Sequence, residues 1–151
     1  MADVETKPVS NDFSSFMAQN KIRRENVKFV ASKSFVDKEG KPLEWEIKAI
    51  TSREDDALRK SCTHQVKVPG KGGMVRQEID SNAYIGKLAA ACTVYPDLNN
   101  KDLQNSYGVM GADVLLKEML SAGEYAEYCN KVSEINGFDV DINDVVEEAK
   151  N

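Results

Sequence analysis

Hydrophobic positions change their spacing partway along the chain, from alternation to a helical repeat. In the first half, Trp45, Ile47 and Ala49 alternate with Glu44, Glu46 and Lys48, the pattern of a strand with one wet face. The run before it, Val27 to Val36, is rich in Val and Phe and ends at Asp37-Lys-Glu-Gly-Lys-Pro42, so the two runs predict a hairpin. A second hairpin is predicted from Gln65-Val-Lys-Val68 and Met74-Val-Arg-Gln-Glu-Ile79, joined by Pro69-Gly-Lys-Gly-Gly73, whose glycines permit positive φ. Between the hairpins, Thr51-Ser-Arg-Glu54 fits a capping box that opens a helix from about Ser52 to Cys62.

From Asp80 onward the repeat is helical. Ile85, Leu88, Ala89 and Cys92 fall at i, i+3, i+4 and i+7, and Pro96 stops that helix. A short helix is predicted near Lys101 to Ser106, with a break at Gly108 to Gly111. Ala112, Leu115, Leu116 and Met119 form the next stripe, which Ala122-Gly123 is expected to end. Tyr125, Tyr128, Cys129, Val132 and Ile135 line another helix, closed by Asn136-Gly137. At the other end, Asn11 or Asp12 caps a short helix with Phe13, Phe16 and Met17 on one face.

The predicted fold is α+β: N-terminal β-hairpins supplying about four strands, and a mostly helical C-terminal half, in one small domain. Residues 1–10 read as a flexible arm, 11–137 as the single domain, and 138–151 as an acidic amphipathic tail. In the last of these Ile142, Val145, Val146 and Ala149 repeat at helical spacing among five acids.

Composition narrows the function classes. The 151 residues carry a formal net charge of -5, with 30% charged and 41% hydrophobic residues, as in an ordinary acidic folded protein. Bulk attraction to nucleic acid or an anionic membrane is not favoured. No apolar run approaches the roughly 20 residues needed to cross a bilayer, and the first residues lack the layout of a secretion signal, so a cytoplasmic location is expected. Cys62, Cys92 and Cys129 are widely spaced and lie in or beside apolar helical patterns, which predicts free thiols.

Candidate chemistry is sparse. His64 is the only histidine, and Cys62-Thr-His64 offers a nucleophile and a base with no assignable acid to orient the ring; a surface histidine is the expected reading. The four Cys and His residues are too scattered for a structural zinc site. Asp139-Val-Asp-Ile-Asn-Asp144 begins like a calcium loop but lacks the glycine at its sixth position and the acid at its twelfth. Pro69-Gly-Lys-Gly-Gly73 lacks the order of a P-loop. The adjacent Asp55 and Asp56 favour the positive end of a helix rather than facing each other. Lys21, Arg23, Arg24 and Lys28 form one basic cluster, the basis of an alternative reading as a small nucleic-acid-binding regulator; without stacking aromatics around it, a solvated edge is expected instead. No cofactor, metal or catalytic residue is predicted.

Several short motifs together point to a family. Trp45-Glu-Ile-Lys48 leads into Thr51-Ser-Arg-Glu54 and Arg59-Lys-Ser-Cys62, followed by Tyr95-Pro-Asp-Leu98, Leu103-Gln-Asn-Ser-Tyr107-Gly and Leu120-Ser-Ala-Gly-Glu-Tyr125. On these, roughly Phe13 to Phe138 resembles the XkdN-like phage tail assembly chaperones of contractile-tailed phages and prophages of Gram-positive bacteria. The resemblance implies a non-enzymatic factor of the host cytoplasm that binds the tape measure protein, helps recruit tail tube subunits and leaves before the tail is complete. A tape measure protein is long and helical, so its chaperone should offer apolar contacts. Tyr107, Met110, Met119, Tyr125 and Tyr128 are adaptable side chains of that kind, although helical spacing equally suits a core. Val140, Ile142, Val145 and Val146 are the stronger partner candidates, because a terminal segment is less needed by the core.

Overall fold

The structure, a computed structural model, describes residues 12–138. The arm expected at 1–10 lies outside the described residues, as does the acidic segment beyond Phe138 with its calcium-like run and Val140, Ile142, Val145 and Val146.

Two 3-10 turns, Phe13–Phe16 and Ala18–Asn20, precede β1 (Val27–Phe29) and β2 (Trp45–Ile47). Helix α1 (Ser52–Ser61) leads into β3 (Thr63–Lys67) and β4 (Val75–Ile79), then α2 (Ser81–Cys92) runs straight into β5 (Thr93–Tyr95). Helices α3 (Lys101–Ser106), α4 (Ala112–Met119) and α5 (Ala122–Ile135) complete the described chain. The α+β class is as the sequence predicts, and the strands divide between two sheets: β1, β2 and β5 form an antiparallel sheet in the order β1-β2-β5, while β3 and β4 pair only with each other.

Alternation in β2 sets the core. Trp45 and Ile47 point inward, at 2% and 0% exposure, while Glu46 between them meets Asn26 and Lys28 at the sheet surface. Trp45 packs edge-on against Tyr128 of α5, with ring centroids 5.3 Å apart, and Phe29 and Phe35 flank the pair. Leu88, Ala89 and Cys92 of α2, Leu115 and Leu116 of α4, and Val132 of α5 close this core from the helical side. Of the expected stripe on α2, Leu88, Ala89 and Cys92 are buried, while Ile85 lies at the exposed margin. Gly86 is buried as well, so close to α5 that a Cβ there would stand 3.2 Å from the Tyr125 hydroxyl.

The helix ends follow from capping. Thr51 Oγ1 accepts from the Glu54 amide and Glu54 reaches back to the Thr51 amide, the predicted box. A second box, between Ser121 and Glu124, opens α5. Ala122-Gly123 therefore lies in the first turn of α5, not at the end of α4 as expected: Ser121 immediately before it supplies a cap that overrides the Ala-Gly break. At the other end of α5, the Gly137 amide donates to Glu134 O and the Phe138 amide to Ser133 O, the paired bonds of a left-handed helix stop, with Gly137 at φ 83°.

One polar cluster locks α1 to α2. Arg59 Nε donates to Asp55 Oδ2 at 2.8 Å, the Tyr84 hydroxyl donates to Asp55 Oδ1 at 2.5 Å, and the Arg59 guanidinium lies 4.5 Å over the Tyr84 ring. Partial desolvation alone would raise the pKa of Asp55. The hydrogen bonds from Arg59 and Tyr84 outweigh it and hold the carboxyl below its ordinary value. Desolvation, with the Asp55 bond and charge adding, pushes Tyr84 up to about 12. A depressed acid contributes stability that is present above its unfolded pKa and lost as pH falls through the folded value. A raised phenol contributes stability that is present below its unfolded pKa and lost as pH rises through the folded one. Urea unfolding followed against pH should therefore show this cluster weakening below about pH 4 and again from about pH 10 to 12. In Asp55→Asn the acid-side loss should shrink, and in Tyr84→Phe the alkaline loss; unchanged profiles in both would contradict the assignment.

Candidate protein-binding surface

The side chains singled out in the helical half have different fates. Tyr128 is wholly buried, with its hydroxyl 2.6 Å from Thr93 Oγ1. Because the Thr93 hydroxyl donates to Ala89 O, Tyr128 is the donor in that pair. The expectation that Tyr128 meets a partner is corrected: it is a core residue, since its ring fills the space beside Trp45. Tyr107 and Met119 are half-buried against the same core. Tyr125 is also half-buried; its hydroxyl has no hydrogen-bond partner among the described residues, and Lys117 lies 5.8 Å from its ring centroid.

Met110 is the exception, 89% exposed on the connection between α3 and α4. This connection is pinned rather than loose. Gln104 Nε2 donates to Leu98 O at 2.8 Å, Gln104 Oε1 accepts from the Gly111 amide at 3.0 Å, and Gln104 O accepts from the Val109 amide. Val109 tucks against the core while Met110 points outward. One glutamine thus displays a flexible apolar side chain from a fixed loop, with Val114 also exposed on the first turns of α4.

A second apolar set lies at the start of the described chain. The sequence predicts a short amphipathic helix there, with Phe13, Phe16 and Met17 on one face. Instead Asp12 caps a four-residue 3-10 turn through Ser14, and Phe13 and Phe16 are 78% and 80% exposed with rings 6.5 Å apart. So short a turn makes too few backbone bonds to persist as an α-helix. Sequence reading missed a third feature. In the β3–β4 hairpin every β4 residue is exposed, Val75 and Ile79 among them, as is Met74 just before the strand. A Val-containing ladder flanked by Lys67, Lys71 and Arg76 carried that signal, but alternation alone does not say that both faces are wet.

The basic cluster divides. Lys28 pairs with Glu46 at 3.2 Å, and Asn26 also donates to that carboxyl, which is held below the usual range by the two bonds. Lys21, Arg23 and Arg24 make no ion pair among the described residues and line a groove of about 730 Å³ whose apolar lining includes Ile22, Ile50 and Ile135.

The candidates for chemistry lie apart from these surfaces. His64 is exposed on β3 opposite Glu78, and Cys62 is buried at the end of α1. Burial pushes the Cys92 and Cys129 thiols up, away from the thiolate form that reacts. Among the described residues no His, Cys, Asp or Glu cluster is placed to hold a metal, and no helix is long and apolar enough to cross a membrane.

Comparison with known proteins agrees with this geometry. The sequence profile of a family described as phage XkdN-like tail assembly chaperone protein matches residues 13–150, and so continues past Phe138. Over 141 residues the chain is 40% identical to the phage-like element PBSX protein XkdN of Bacillus subtilis (strain 168), spanning 93% of this chain and 94% of that protein. It is 41% identical to the uncharacterized protein YqbN of the same strain, over 93% of each. The crystal structure of the protein YqbN superposes with a TM-score of 0.71 at 36% identity, covering 85% of this chain and 98% of that one.

Proposed function

Because this chain belongs to the XkdN-like family of phage tail assembly chaperones, we propose that it binds the tape measure protein of its tail, helps recruit tail tube subunits, and departs before the tail is complete. On this reading it acts in the host cytoplasm, without catalysis. The observation that supports the proposal best is the display of Met110 on a pinned connection, with Phe13 and Phe16 exposed at the start of the described chain. Large exposed aromatics such as the Phe13–Phe16 pair suit contact with another chain, and a Met side chain adapts to partners of varied shape.

Magnitudes suit a temporary partner. Fully covering one such side chain contributes about 1.5–3 kcal/mol, while association costs roughly 4–15 kcal/mol before any contact is counted. A few anchors therefore give binding that a growing tube can displace. We assign the contact to Met110, to the half-buried Tyr107 and Tyr125 elsewhere on the helical half, and to Val140, Ile142, Val145 and Val146 of the acidic segment.

The test is affinity for the purified tape measure protein. Met110→Asp should weaken binding by about tenfold or more, the loss of one well-covered anchor, with unfolding unchanged because the side chain touches no core residue. Removal of residues 139–151 should weaken it further. Binding unaltered in both variants would reject this surface.

A further inference from the structure

We propose that the groove beside the first strand is the seat of this chain's own residues 139–151. Its lining combines Ile22, which is 90% exposed, with Ile50 and Ile135, and its cations are Lys21, Arg23 and Arg24. The segment that follows is complementary in both respects. Asp139, Asp141, Asp144, Glu147 and Glu148 stand against the single Lys150, and Ile142, Val145, Val146 and Ala149 recur at i, i+3, i+4 and i+7.

Connectivity strengthens the match. Gly137 itself lines the groove, so the segment starts at its lip. From Phe138 to Ile142 the chain spans at most about 14 Å, and the repeat from Ile142 to Ala149 would cover about 10 Å as a helix. A tether this short gives a local concentration in the millimolar range, so even a weak intrinsic affinity fills the site. The groove's other features favour a peptide over a phosphate backbone: three isoleucines line it, and Glu25 stands beside the cations. Seated there, the segment covers its own apolar face and the groove's until a competing chain displaces it.

Carbodiimide cross-linking of the full chain, mapped by mass spectrometry, tests this, because the reagent joins the Lys21 amine only to a carboxylate in direct contact. The expected product is an intramolecular link from Lys21 to an acid among residues 139–148, its yield independent of protein concentration and falling roughly threefold or more at high salt. The double variant Arg23→Glu/Arg24→Glu, whose side chains are exposed, should lose the link while unfolding as before. Links from Lys21 only to Glu25 and its neighbours would overturn the proposal, as would links formed only between two chains. The cross-link is read without the tape measure protein, so failure of the chaperone reading and failure of this one are distinguishable.

Discussion

Trp45→Ala is expected to cost about 3–5 kcal/mol, enough to leave the domain unfolded or barely folded when a whole domain is held by roughly 5–15 kcal/mol. Trp45 is the largest side chain in the core. It sits where the three-stranded sheet meets α5 and contacts the rings of Phe35 and Tyr128. Its removal empties a site that neither β2, fixed between β1 and β5, nor α5, fixed by its caps, can collapse to fill. Urea unfolding monitored by far-UV circular dichroism measures the effect. Tyr128→Phe is the useful contrast: it keeps the ring and removes only the hydroxyl bonded to Thr93, so a loss of about 1 kcal/mol is expected. A Trp45→Ala variant as stable as the parent would contradict the packing described.

Asn136→Ala should cost about 1–3 kcal/mol, the effect of stranding partly buried polar groups. The Asn136 side chain joins three parts of the fold: its Oδ1 accepts from the Ile50 amide at 2.9 Å, and its Nδ2 donates to Val132 O at 2.9 Å and to Cys92 Sγ at 3.3 Å. Ile50 lies 86 residues from Asn136 in sequence, so this one amide ties the entry to α1 to the end of α5. Asn136→Asp preserves the acceptor for Ile50 but places a carboxylate against Val132 O and Cys92 Sγ, and should also destabilise. Thermal unfolding of both variants checks the assignment; a stability within about 0.5 kcal/mol of the parent, the range of an ordinary surface change, would remove Asn136 from the account.

How far the fold was legible depended on how local each signal was. The capping box at Thr51, the helix stop at Asn136-Gly137 and the stripe on α4 are written within a few residues and recur in the structure. β5 was not legible. Thr93-Val-Tyr95 is three residues long and follows α2 without a break, so only its pairing with β2 across the sheet reveals it. The same limit applies to the separation of the two hairpins, because alternation specifies a face and not a neighbour. At the candidate surface, Met110 and Tyr128 look alike in sequence, both large and within the helical half. Their opposite exposures follow from the Gln104 bonds that turn the α3–α4 loop outward, and from a helix phase that points Tyr128 at Trp45. The role of Asn136 as a tie to Ile50 had no local sign beyond its use as a helix stop.

With Lys28 paired to Glu46 and the remaining cations lining an apolar groove, few charges are arrayed for a phosphate backbone, whose binding would fall steeply with salt.

Co-purification of the full chain with the tape measure protein of its own tail, both expressed together, shows whether the two form a complex. A chaperone should give a soluble complex that survives size-exclusion chromatography, with tape measure protein that is insoluble when expressed alone. Separate elution of the two proteins, with the tape measure protein no more soluble than alone, would contradict it.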